Sequence, residues 1–132
     1  MSKYILPKGK YFIGDICYIL KKSYYNQWVD KLKGKNGLFN INGSMFAVHS
    51  TSYGDGYYPS NINMSFPVDS GTIGIVNEKL FSATKAKKLI TKNMTLGQIY
   101  NFTGDVTFKY KYGVFKIESS KDKIKIKIDT NE

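Results

Sequence analysis

Three short segments set a carboxylate beside glycine, and they hold the residues best suited to chemistry. Asp15 lies in Ile13-Gly14-Asp15-Ile16-Cys17-Tyr18, Asp55 in Tyr53-Gly54-Asp55-Gly56-Tyr57, and Asp69 in Val68-Asp69-Ser70-Gly71-Thr72. His49, the sole imidazole, precedes the second segment by a few residues. Hard divalent cations take carboxylate oxygens, so three carboxylates and an imidazole suit a metal site. The same groups suit proton transfer on a phosphate or glycosidic bond. Ordinary turn chemistry uses them too, because an Asp beside Gly bonds nearby backbone N–H groups. Spacing alone does not bring the three segments together, so no residue is assigned a catalytic role, and no metal or cofactor is assigned.

Around the second segment Tyr53, Tyr57, Tyr58 and Phe66 accompany Asn61 and Asn63. Tyr and Asn among flexible glycines suit stacking on a planar base and hydrogen bonding to its edge. Packing of a long loop onto the domain explains the same composition. The expected ligand-binding set is Asp15, His49, Tyr53, Asp55, Tyr57, Tyr58, Asp69 and Ser70.

Near the C-terminus Lys109, Lys111, Lys116, Lys123, Lys125 and Lys127 alternate with apolar residues and form an expected basic surface. Such a plate meets the minimum need of nonspecific polyanion binding. A solvated face whose lysines prevent edge-to-edge aggregation has the same sequence. The chain carries a net charge of +10, with 20 basic residues. All of them are Lys, so bidentate guanidinium clamps on phosphate or guanine are excluded. Residues 1–35 hold eight Lys and two acids, residues 36–78 no Lys and three acids, and residues 79–132 twelve Lys and five acids. A Lys-free middle thus lies between two basic ends.

The elements that must position these residues can be read from periodicity. The 132 residues fit one domain, 1–132, large enough for a real core. Gly9 to Leu20 reads as two short strands about a Gly14-Asp15 turn. Cys17, the only cysteine, reads as a buried small hydrophobe within that second strand, and a disulfide within the chain is excluded. Ser23 to Leu32 reads as a helix capped by Ser23, with Tyr25, Trp28, Val29 and Leu32 on one face and Gly34 as its stop.

Gly37 to Ile41 and Ser44 to Ser50 read as a hairpin across Asn42-Gly43. Asn63 to Val68 and Thr72 to Val76 read as strands about Asp69-Ser70-Gly71. Ser82 to Thr91 reads as a second helix capped by Ser82, with Ala86, Leu89 and Ile90 inward. Thr95-Leu96-Gly97-Gln98 fits a capping box. Val106 to Ile128 alternates as a three-stranded meander with an apolar face and a Lys face. The expected class is α+β: a mainly antiparallel sheet or partly open barrel with one or two packed helices.

Walker-type, Gly-x-Ser-x-Gly and His-Glu-x-x-His motifs are absent from the sequence. No apolar run is long enough for a transmembrane span, and the basic N-terminus lacks the features of a signal peptide. The expectation is a cytoplasmic protein with no membrane partner.

Taken together, Gly9 to Tyr18, Trp28, Thr51 to Tyr57 and Val68 to Val76 resemble a family of small uncharacterised proteins of bacteriophages and large DNA viruses. The resemblance covers residues 9–76 and leaves out the Lys-rich C-terminal half. It implies a viral or prophage context in a host cytoplasm, and no activity. The expected function is a non-enzymatic binding protein for an anionic ligand, a nucleotide signal or a nucleic acid, acting against host defence. The alternatives are a metal-dependent phosphate-ester hydrolase using Asp15, Asp55, Asp69 and His49, and a protein-binding inhibitor or minor virion component that docks a host protein. Homo-oligomerisation is left open.

Overall fold

A computed structural model describes residues 2–93 and 95–131. Its strands are β1 (Ser2–Leu6), β2 (Gly9–Gly14), β3 (Gly37–Ile41), β4 (Ser44–Ser50), β5 (Gly56–Pro59), β6 (Ser65–Val68), β7 (Thr72–Asn77), β8 (Gly97–Phe102), β9 (Val106–Lys111), β10 (Val114–Ser119) and β11 (Ile124–Asp129). Among the described residues, two helices, α1 (Lys22–Asp30) and α2 (Ala83–Thr91), and two 3₁₀ turns accompany the strands. The class is α+β, and the sheets do not close into a barrel.

The strands form a four-stranded sheet in the order β1-β9-β10-β11, a five-stranded sheet in the order β3-β4-β7-β2-β8, and the pair β5-β6. All the pairings are antiparallel. The alternating sequence of the meander decides its packing. Val106, Phe108, Phe115, Ile117, Ile126 and Ile128 turn to the protein interior, and the lysines between them turn to water. Against that apolar face lie Tyr11, Ile13, Ala47, Ile73 and Ile75 of the five-stranded sheet.

The five-stranded sheet is apolar on both faces because a second core lies behind it. Phe12, Phe46, Val48 and Val76 point there and meet Trp28 of α1 and Leu80, with Ala86 and Leu89 of α2 alongside. The layers therefore run from lysine face to sheet to sheet to helices. Gly74, in the middle of β7, makes this close packing possible. A Cβ there would stand 2.5 Å from the Ala47 carbonyl oxygen and 2.6 Å from Ile16.

The Asn42-Gly43 hairpin forms with both residues left-handed, at φ 52° and 84°. This is the geometry the dipeptide favours. Ser82 caps α2 by accepting from the Lys85 N–H at 3.3 Å. Gly34 ends α1 at φ 61°, its N–H donating to the Trp28 carbonyl.

Several expectations are corrected. Ile16–Tyr18 is a 3₁₀ turn, not a strand. The Asp15 carboxylate accepts the Cys17 N–H at 2.9 Å and so diverts the backbone from a ladder. Cys17 is accordingly half-buried. Lys21, not Ser23, precedes α1, and its side chain makes no cap. Val29 and Ile90, read as inward, are exposed.

The strands expected on either side of Asp69-Ser70-Gly71 do form, and the bend carries the chain from the β5-β6 pair to the five-stranded sheet. Tyr57 and Tyr58 lie on strand β5 and not in a loop. Gly97 and Gln98 open strand β8, whose Gly97 sits opposite Gly14 over the Phe12 ring, where a side chain would collide.

Candidate functional site

Two surfaces collect the residues singled out above. The first is a cleft where the glycine bends meet. Asp15 is fully buried and holds the bends together. Besides Cys17 N–H, its carboxylate accepts from the Asp69 and Ser70 N–H groups at 2.6 and 2.7 Å and from the Ser70 hydroxyl at 2.5 Å. Four donors replace the water that a buried carboxylate loses. The second bend is held from inside. Thr51 Oγ1 and the Tyr58 hydroxyl both donate to the Gly54 carbonyl, at 2.6 and 2.8 Å.

Asp55, Tyr57, Asp69, Tyr18 and Lys92 line the resulting cleft, which has a volume of about 600 Å³. The Tyr18 hydroxyl donates to Asp69 Oδ2 at 2.5 Å. Burial, and then that bond, push the Tyr18 phenol well above the usual tyrosine range. Tyr18 therefore keeps its proton and serves Asp69 as a hydrogen-bond donor. On the same side, the Lys85 ammonium donates to the Cys17 and Leu20 carbonyls at 3.0 Å each.

The structure gathers Asp15, Asp55, Asp69, Ser70 and Tyr57, but Asp15 and Ser70 are spent on each other. Tyr58 is corrected outright: it is 1% exposed and has no ring face to offer a ligand. Tyr53 is exposed but does not line the cleft. His49 stands elsewhere, under the other sheet. Its ring stacks on Tyr110 of β9 at 3.8 Å and meets the edge of Phe115. Its Nδ1 donates to the Ser50 carbonyl at 2.7 Å. Burial lowers its pKa below the usual value, so the ring is neutral near pH 7. Among the described residues no three His, Cys, Asp or Glu side chains gather as metal ligands. Of the four residues named for the hydrolase alternative, His49 thus stands apart from Asp15, Asp55 and Asp69.

The second surface is the outer face of the four-stranded sheet. Register aligns Lys3 with Lys109, Lys109 with Lys116, and Lys116 with Lys127. One lysine from every strand thus stands in a single row across the sheet. Adjacent strands lie about 4.8 Å apart, so the row spans about 14 Å between its outer strands. Lys111 and Lys125 flank the row on the same face. Glu118 and Asp129 are the acids there, and Lys109–Glu118 at 3.8 Å is the one ion pair among the described residues.

Like charges directly opposite each other destabilise a sheet. Protection of edges cannot explain them all, because Lys109 and Lys116 sit on the central strands β9 and β10. Lys123 lies at the β10–β11 turn with φ 55°, beside a notch it shares with Lys125 and Glu118. The outer edge of β11 is covered. Asn61 takes the Lys127 N–H on its side-chain oxygen at 2.9 Å and gives its side-chain amide to the Lys125 carbonyl at 3.0 Å.

The cleft and the lysine face share no lining residue. The sequence does not announce Lys3, because Tyr4, Ile5 and Leu6 are consecutive apolar residues and the outward Ile5 hides the alternation of β1, and it does not announce Tyr18 and Lys92 in the cleft. The chain matches no protein-family model, no curated protein and no solved structure. The resemblance noted above therefore stands on its motif residues alone.

Proposed function

We propose that this protein is a non-enzymatic nucleic-acid-binding protein and that the lysine-ribbed face of its four-stranded sheet is the binding surface. The observation that carries this reading is the Lys3–Lys109–Lys116–Lys127 row. A fold gains nothing by itself from four cations in register, and a polyphosphate backbone relieves their repulsion. The absence of Arg fits backbone binding and disfavours base reading, since lysine contributes point charges without a bidentate fork.

Fluorescence anisotropy with a labelled oligonucleotide tests the reading. With about four phosphates neutralised, the logarithm of the binding constant should fall with log salt at a slope of roughly −3 for a single strand. Lys116→Glu should weaken binding more than tenfold. Lys87→Glu, the same change in charge on the exposed side of α2, should leave affinity within about threefold. Equal losses in the two variants would reduce the effect to net charge, and no binding at low salt would end the proposal.

A further inference from the structure

The face that holds the lysine row also presents an aromatic ring in an unusual setting. Tyr112 sits at the tip of the β9–β10 hairpin, is 84% exposed and has a left-handed backbone at φ 50°. Gly113 follows at φ 80°, so the turn is of the kind that favours Asn or Gly in its first position. A tyrosine there is strained, and its apolar ring is left in water. A shallow groove of about 360 Å³ runs from this ring along Lys109, Lys111, Lys116 and Lys127. That volume is within the range of small-ligand pockets. Lys111 Nζ lies 5.4 Å from the ring centroid.

We infer that the face takes single-stranded nucleic acid in preference to duplex, with an unpaired base stacked on Tyr112 and the following phosphates on the lysine row. The inference rests on the proposed function and names its substrate class. Three observations support it. A four-stranded sheet spans about 14 Å between its outer strands before side chains are counted, and the duplex major groove, about 12 Å wide, admits only a helix or a two-stranded ribbon. The lysine face can therefore touch a duplex only along its outer phosphates.

A single strand can lie flat on the same face and can turn a base to the ring. Stacking on an aromatic ring is open to any unpaired base and closed to a paired one inside a helix. Finally, the two unfavourable features coincide on one surface. Strained positions that persist tend to mark function, and the second, like-charge repulsion, is the one a phosphate strand neutralises.

The experiment compares a labelled oligothymidylate of about 12 nucleotides, a duplex of the same length, and heparin. The native protein should bind the single strand at least tenfold more tightly than the duplex. Tyr112→Ala should weaken the single strand by roughly five- to a hundredfold and leave duplex and heparin within about twofold. Tyr112→Phe, which keeps the ring, should restore binding. Tyr112→Asn suits the turn, so its fold is secure, and it should bind as the Ala variant does. Equal affinity for single strand and duplex, or an Ala variant that binds as the native protein does, overturns the inference while leaving the lysine face as a general polyanion surface. Failure of all three probes to bind removes the proposed function as well.

Discussion

The cleft and the lysine face treat their charged groups in opposite ways. In the cleft, polar groups are spent on one another: Asp15 takes four donors from the bends around it, Ser70 serves Asp15, and Tyr18 serves Asp69. On the lysine face, four ammonium groups stand in register, and among the described residues Glu118 is the one close counter-ion, and that only to Lys109. A polar cluster that closes on itself holds a structure together. A cluster left unbalanced is the one that gains from an added partner. Pocket volume alone would have ranked the two surfaces the other way, since the cleft is the larger.

Removing the centre of the closed cluster should have the largest effect. Asp15→Ala leaves two buried turns short of an acceptor, and unsatisfied buried donors cost about 1–3 kcal/mol each. Urea unfolding should show a loss of about 3–5 kcal/mol. Oligonucleotide affinity, corrected for the folded fraction, should stay unchanged. A loss of affinity in the folded molecules would join the two surfaces that the comparison separates.

A smaller effect of opposite sign is expected on the other surface. Lys116→Glu faces Lys109 and Lys127 across the strands. It replaces two like-charge neighbours by two opposite-charge ones, each worth about 0.2–1 kcal/mol. Thermal unfolding should show a more stable protein, even though the same substitution is expected to lose nucleic acid. A destabilised variant would mean that the row is not electrostatically strained.

The smallest effect concerns His49, which sequence order places by the cleft and the fold places beneath the lysine sheet. Its folded pKa is lowered from 6.5 by burial. The unfolded chain therefore binds the proton first, and stability falls as the pH drops through 6.5 toward the folded value. Below the folded value the loss is complete. His49→Phe keeps a ring against Tyr110 and should remove this part of the acid sensitivity. Urea midpoints at pH 7.5 and 5.5 for both proteins should differ less in the variant.

What could be read in the sequence was local. The Asn42-Gly43 hairpin, the Ser82 cap and the alternating meander are each decided by residues a few positions apart. Asp15 shows how local reading fails. The apolar run Ile16 to Leu20 fits a strand, but one carboxylate captures the Cys17 N–H and turns the chain, and its remaining partners come from the bend at 69–70. Thr95 to Gln98 fails similarly, because Gly97 is needed over the Phe12 ring.

The lysine row was half legible. Lys109, Lys116 and Lys127 belong to an evident meander, but their mutual register depends on turn geometry. Lys3 joins them only because the first strand pairs with β9 from far along the chain. Tyr112 reads as a turn residue; its exposure and its place beside the lysines are tertiary facts.

The Asn61 side chain has a further consequence. By offering a donor and an acceptor to β11, it occupies the positions an incoming strand would need. The lysine sheet can then recruit a neighbour along β1 alone. With β11 capped, this sheet cannot be extended through both of its edges at once.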